Sequence, residues 1–453
     1  MLNKKFLVLF LSTLGMITAI GVTTIDNNNK AFGDYIPGTP GPDTQHGTPN
    51  SDYIVGYGGQ DTQYGNGGYD TLYGDRDYSV VGESYTGEPD TQYGGDDGDT
   101  LNGDAYSVDS YDYYYYGSSG PSTLTGGNDI QNGDAGSDYI LGDAEYANSY
   151  IDSTSGSATA TMNGGADTQN GGDGYDTIVG DAYSAYSSSW FSSGSATTTV
   201  NGGNDVQSGG NDDDTLYGDL NYANAFNYDG GSATTTVNGG ADTQNGGDGY
   251  DTIVGDVASA YSSSYYSGSA TTTVNGGNDV QSGGNDDDTL YGDVIDAGSL
   301  SYDGGSATTT VNGGNDVQSG GDGNDYIYGD AFTVQGAATL IGGDDTINGD
   351  DGDDYLYGDA YYMSASSKGG NDNVIGGKGA DTMYGDAAVM EAGAQGGKDH
   401  LNSAAGGKNP TGVRDTAYGN TGADLFIVGN NYDSTDIMDF NEAEGDRIVG
   451  NKK

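Results

Sequence analysis

The sequence predicts an all-β protein, a single elongated β-solenoid built from glycine-rich nonapeptide repeats. Three observations predict it. A short motif punctuated by glycine and aspartate recurs with its Asp in constant phase. A longer period of 37 or 38 residues overlies it, and the composition cannot furnish an ordinary globular core.

The short motif comes first. GGDGYDTIVGD begins at Gly171 and again at Gly246, GGDGNDYIYGD at Gly320 and GGKGADTMYGD at Gly376. Variants begin at Gly65, Gly94, Gly133, Gly209, Gly283 and Gly349, ten copies in all, and they fit or nearly fit G-G-x-G-x-D-x-U-x, with U a large apolar residue. Low-complexity disorder would not hold the Asp in phase.

In the longer period, Asn-Gly-Gly recurs with its first glycine at 164, 202, 239, 276 and 313. Each period reads as VNGGNDVQS, then GGNDDDTLY, then about 19 residues such as GDLNYANAFNYDGGSATTT. If one coil takes two nonapeptides, each period is two coils and the whole solenoid has some twenty. SATTTV also recurs about every 37 residues. Copies two coils apart would leave gaps, which argues against a continuous threonine array of the kind ice-binding solenoids carry.

Composition sets the third constraint. The 453 residues could fill two or three globules by length, but they include 85 Gly and carry a formal charge of −56. Only 33% are hydrophobic, mostly Ala, Tyr and Val. Such a chain stays disordered unless a bound cation neutralises it. Its charge disfavours nucleic acid and anionic lipid as partners. Cysteine is absent, so neither disulfides nor thiolate metal sites contribute.

Four segments follow. Residues 1–21 read as a signal peptide, with Lys4 and Lys5 ahead of an apolar run and a cut after Gly21; an uncleaved anchor is the alternative. Residues 22–50 hold four of the seven prolines and read as a linker. Repeats occupy 51–418, and 419–453 forms a capping unit. No second apolar span follows the first, so the mature chain is expected to have no transmembrane domain and to be secreted or held at the cell surface.

Turn chemistry explains the residue types. Glycines at positions one, two and four allow a reversal within about six residues. The bend aims carbonyls inward and the Asp at position six adds a carboxylate. Such an all-oxygen set suits Ca²⁺, which takes six to eight oxygens, better than Mg²⁺, whose geometry is stricter. The three residues after the Asp form one short strand with U pointing inward. The inward set is Leu72, Leu101, Ile140, Ile178, Leu216, Ile253, Leu290, Ile327, Leu356 and Met383. One apolar residue per strand makes a thin core, so the metal-free chain is expected to be disordered and to fold on binding calcium.

These nonapeptides resemble those of the RTX family of bacterial toxins and alkaline proteases. The resemblance implies a right-handed parallel β-roll with multiple Ca²⁺ ions between its turns. Carried over residue by residue, it makes ligands of Asp70, Asp99, Asp138, Asp176, Asp214, Asp251, Asp288, Asp325, Asp354 and Asp381. In the VNGGNDVQS-type units the matching residues are Asp129, Asp167, Asp205, Asp242, Asp279, Asp316, Asp345 and Asp372. Residues 419–450 resemble the closing unit of RTX domains, with Phe426, Ile437, Phe440 and Ile448 expected to cover the last coil.

The chain departs from the pattern in places. Asp212 and Asp286 replace the position-four glycine, which either weakens or reshapes those turns. Gln63, Gln92, Gln131, Gln169, Gln207, Gln244, Gln281 and Gln318 occupy U positions, either as a buried amide ladder or with side chains in water. RTX proteins usually leave by a C-terminal type I signal, whereas this chain has an N-terminal Sec-like one, so its export route stays open.

No enzyme is expected. His46 and His400 are the only histidines and lie far apart, no HExxH occurs, and no separate catalytic domain fits beside the repeats. The Tyr- and Ser-rich segments, such as AYSAYSSSWFSS, are either solvent-facing arms or an adhesive face. The expected role is therefore a structural or adhesive component of the cell surface or matrix, or a non-catalytic carrier for a separate secreted enzyme.

Overall fold

Strand formation follows the repeat. Each x-U-x triplet after a position-six Asp is one short β-strand, and successive strands stack in register rather than folding back. In the computed structural model, residues 33–113, 117–153, 155–190, 193–403, 414–428 and 434–450 are described. The expected signal segment, and the linker as far as residue 32, lie outside them.

The strands build two sheets of fourteen, one from Tyr35–Pro37 to Ser434–Ile437 and the other from Thr44–His46 to Arg447–Val449. All their pairings are parallel, as in Ile140↔Ile178↔Leu216, so the chain from Gly33 onward is a parallel β-solenoid. Its first strands, Tyr35–Pro37 and Thr44–His46, lie within the stretch expected to be a linker and pair with Tyr53–Val55 and Thr62–Gly67. Among the described residues no helix is long and apolar enough to cross a membrane.

The two sheets enclose the expected core. Leu72, Leu101, Ile140, Ile178, Leu216, Ile253, Leu290, Ile327, Leu356 and Met383 all have no exposure. The opposite sheet presents the glutamines, and they face inward. Each Nε2 donates to the Oε1 of the preceding coil's glutamine and to a carbonyl of the facing sheet. Gln244, for example, reaches Gln207 Oε1 at 2.8 Å and the Val254 carbonyl at 3.0 Å. The ladder starts at Gln45 and stops at Gln318, because Ile347, Val374, Leu401 and Phe426 take the same place in later coils. Gln318 Oε1 is accordingly left without a partner.

Coil length is where the fold departs from expectation. Stacked aspartates are 18 residues apart at the N-terminal end, two nonapeptides per coil, as from Asp52 to Asp70. They are 38 apart from Asp138 to Asp176 and 37 apart from Asp214 to Asp251, still on adjacent strands. The long period is thus one coil, not two, and each sheet makes fourteen passes rather than some twenty. The extra residues form an arch of two strands, such as Ala182–Ser189 and Ser195–Asn201, each joining its own stacked sheet.

The arches have their own core. Ala185, Ala223, Ala260 and Ala297 on one sheet and Val200, Val237, Val274 and Val311 on the other are fully buried in one cluster. Between them the hydroxyls of Thr198, Thr235, Thr272 and Thr309 donate to carbonyls at 2.6–2.9 Å, which satisfies them inside. Because each SATTTV copy sits on the strand next to the previous one, the outward threonines form an ungapped array: Thr197↔Thr234↔Thr271↔Thr308 and Thr199↔Thr236↔Thr273↔Thr310. An amide ladder from Asn163 to Asn312 borders it.

At the C-terminal end Phe426 is buried and Ile437 and Ile448 pack against the core, as expected. Phe440 is not a cover: it is 42% exposed and only flanks the Phe426 ring.

The glutamine ladder gives a direct test. Gln244→Leu strands Gln207 Oε1 and one Nε2–H of Gln281 in the core, at about 1–3 kcal/mol for each buried orphan. Gln318→Leu also removes an oxygen that is already unpartnered. Thermal unfolding in calcium is expected to fall further for Q244L than for Q318L.

Candidate metal centre

The eighteen predicted aspartates fall into two columns, one along each edge of the two-sheet core, and none is more than 3% exposed. The column from Asp70 to Asp381 follows the strands rich in glutamine. That from Asp129 to Asp372 precedes them. A single contact sets the register of both. The main-chain N–H of each Asp donates to Oδ1 of the Asp in the next coil, as from Asp176 to Asp214 at 2.8 Å and from Asp167 to Asp205 at 2.7 Å.

Oδ1 is thereby satisfied and Oδ2 is not. In every predicted residue from Asp70 to Asp354 of the first column, and from Asp129 to Asp372 of the second, Oδ2 is buried without a hydrogen-bond partner. Asp381 continues the first column, buried like the rest. Asp52, Asp61, Asp90, Asp399, Asp415 and Asp424 extend the columns beyond the predicted set. Their turns are less regular in sequence, which hid them.

A third column was missed altogether. The second edge is a plain six-residue turn at the ends of the roll, as in Gly56–Asp61 and Gly419–Asp424. In between, the arch is inserted after position two, so the turn is split: Gly180-Asp181 leads into the arch and Gly202-Gly203-Asn204-Asp205 completes it. Position two of the ten split turns is always aspartate: Asp75, Asp104, Asp143, Asp181, Asp219, Asp256, Asp293, Asp330, Asp359 and Asp386, all with no exposure. Each accepts the N–H of position four across the split, as Asp293 Oδ1 does from Gly314 at 2.9 Å. The signal was the Gly-Asp pair that closes almost every short repeat.

Turn conformation supports these placements. Asp212 and Asp286 hold the left-handed region that glycine usually occupies at position four, with φ of 74° and 78°, so those turns keep their shape. Among the described residues no three Asp, Glu, His or Cys side chains gather as a metal-binding set. Main-chain carbonyls must therefore complete any site. They are available: a Cβ on Gly180 would overlap both the Gly218 carbonyl oxygen and Asp205 Oδ2, so this glycine keeps open a space walled by oxygen.

A family model described as the RTX calcium-binding nonapeptide repeat (4 copies) matches residues 37–78, 273–294, 310–332, 342–360 and 367–388. Those segments lie on the stacked turns just described. The chain is an RTX-type β-roll. It is accordingly a calcium-binding repeat protein, of a fold that is generally structural rather than catalytic. No curated protein matches the chain.

The donor set of this RTX roll fits the ion. The inward groups that could hold it are all oxygen, the carboxylate oxygens are buried, and carbonyls stand beside them, which suits a hard cation that tolerates varied geometry. Electrostatics point the same way. Burial is the largest cause raising the first-column carboxyls, against the opposing pull of the preceding coil's N–H. Asp70, Asp176 and Asp251 rise to about 6, Asp138 to about 7, and Asp99, Asp214 and Asp288 to about 8. In the second column, burial and then neighbouring carboxylates push Asp167 and Asp242 well above the usual range. Without a cation these groups are held far from their preferred ionisation.

The sign of the pH dependence follows. Unfolded aspartate titrates near 3.9, below the folded values, so the metal-free roll is favoured where the carboxyls are protonated. That stability is lost as pH rises through about 6 to 8. In chelator, circular dichroism is expected to show strand at pH about 4.5 and its loss by pH 8. Strand content independent of pH over that range would contradict the assignment.

Proposed function

We propose that the chain is an exported protein that folds only where calcium is abundant, and that it serves as a structural or adhesive component of the cell surface or extracellular matrix. The observation that carries the calcium reading is the row of buried, unpartnered Oδ2 atoms in the predicted aspartates from Asp70 to Asp354 and from Asp129 to Asp372. All eighteen predicted aspartates, Asp381 included, are the ligands in this reading, together with glycine carbonyls. Extracellular calcium modules work at about 10⁻⁴–10⁻³ M, which would keep the chain unfolded in a cytosol and fold it outside. The Sec-like segment at residues 1–21 supports that route.

The adhesive part rests on the arches. Their bends carry exposed aromatics, with Trp190 41%, Tyr265 37% and Tyr302 45% exposed. Trp190 stacks on Tyr228, and Tyr265 on Tyr302 with ring centroids 4.9 Å apart. Aromatic faces beside hydroxyls suit stacking on sugar rings. The ungapped Thr array favours a second reading, contact with ordered water at an ice surface, because its columns are uncharged in a chain of charge −56.

Titrating metal-free protein with calcium at pH 7.5 is expected to give a coil-to-strand transition at submillimolar to millimolar Ca²⁺, which Mg²⁺ at equal concentration does not reproduce. Full strand in chelator at low salt would overturn the reading. For the surface role, Trp190→Ala with Tyr265→Ala and Tyr302→Ala is expected to lower retention on glycan-coated supports while leaving the calcium transition in place. Ice-growth inhibition by both proteins alike would favour the threonine face instead.

A further inference from the structure

The position-two aspartates have a property that closing the turn does not require. In the continuous turns Gly56–Asp61 and Gly419–Asp424, residue two is left-handed and its side chain stays partly exposed: Tyr57 with φ 70° and Asn420 with φ 64°. None of the ten split turns has residue two in that region. Insertion of the arch lets the chain run straight from residue two into a strand, and the side chain turns inward. Aspartate occupies that inward position all ten times. An amide could accept the N–H of position four equally well and would carry no charge.

One carboxylate oxygen accepts that N–H, and in many of these turns the other is left over. Asp219, Asp293, Asp330 and Asp359 each have a fully buried Oδ2 that no N–H donor reaches, and these carboxylates meet the like-charged position-two carboxylates of the adjacent coils. The position-six carboxylate of the same turn opens onto the same wall. Around one coil, the Gly255 carbonyl and Asp242 Oδ2 flank Gly218, while Asp219 Oδ2 and Asp256 Oδ1 flank Gly239. A split turn therefore offers two buried carboxylates and a carbonyl where the opposite edge offers one carboxylate per coil.

We propose that the split turns form a second class of divalent-cation site, in which the position-two and position-six aspartates of one coil bind together with the position-one glycine carbonyl of the next. This rests on the calcium reading given above and extends it to ligands outside the nonapeptide pattern. Ligand charge tunes calcium affinity over orders of magnitude, so the split-turn edge fills first and the single-carboxylate edge follows. The arch and its entry aspartate thus act as one unit, since adding an arch adds the charge that holds its cation.

The test is calorimetric calcium titration of the full chain at pH 7.5. Wild type is expected to bind in two affinity classes. Asp219→Asn with Asp256→Asn keeps an acceptor for Gly240 and Gly277 and is expected to weaken part of the tight class by roughly ten-fold or more, with the weak class unchanged. Asp214→Asn with Asp251→Asn, on the other edge, should alter the weak class only. If D219N/D256N does not reach the strand spectrum in saturating calcium, Asp386→Asn in the last split turn is read by the same isotherm. A single affinity class, or position-two variants that titrate as wild type, would overturn this proposal while leaving the calcium reading intact. No calcium binding at all would sink both.

Discussion

Parallel stacking of identical turns places like charges one strand spacing apart, about 4.8 Å, along the full length of each aspartate column. At an effective dielectric of about 20, two unit charges at that distance repel by roughly 3–4 kcal/mol, and each interior carboxylate has two such neighbours. Against this the two-sheet core offers, through the coils of the glutamine ladder, one fully buried Leu or Ile per coil. The N–H that each Asp donates to the next carboxylate fixes the register but leaves the charge in place. Neutralisation, by protons at low pH or by a divalent cation near neutrality, is what the roll depends on.

The same constraint explains how the molecule grows from an 18-residue coil to one of 37 or 38 without losing its stack. Insertion at a single point, after position two of one turn, leaves both main sheets and both position-six columns undisturbed. The arch then stacks on its predecessor and buries small residues, Ala and Val, with threonine hydroxyls satisfied locally. The segments that differ most between the near-identical copies, AYSAYSSSWFSS and VASAYSSSYYS, fall in the arches and their bends. They carry the outward surface and leave the aspartate columns untouched.

Polar ladders do work here that apolar cores do elsewhere. From Gln45 to Gln318 a file of amides replaces apolar side chains on one core face, and each amide binds both its neighbour and the opposite sheet. A one-residue slip would break every link at once, so the ladder enforces alignment more strictly than packing can. Beyond Gln318 the file becomes apolar, and there the coils shorten to spacings of 29 and 27 residues.

The nonapeptide alone determined the parallel roll, the buried U residues and both position-six columns, because a turn reversing within six residues leaves few choices of residue type. It also placed Asp212 and Asp286 as glycine substitutes whose effect only their φ angles decided. Tertiary structure decided the rest. Whether 37 residues make one coil or two depends on which strands pair, and period counting cannot show that. The glutamines could face the core or water until the opposite carbonyls were seen to meet them. The Gly-Asp pairs were plain in the sequence, yet their burial follows from the arch leaving the turn at that residue, a relation between distant segments that no local pattern encodes.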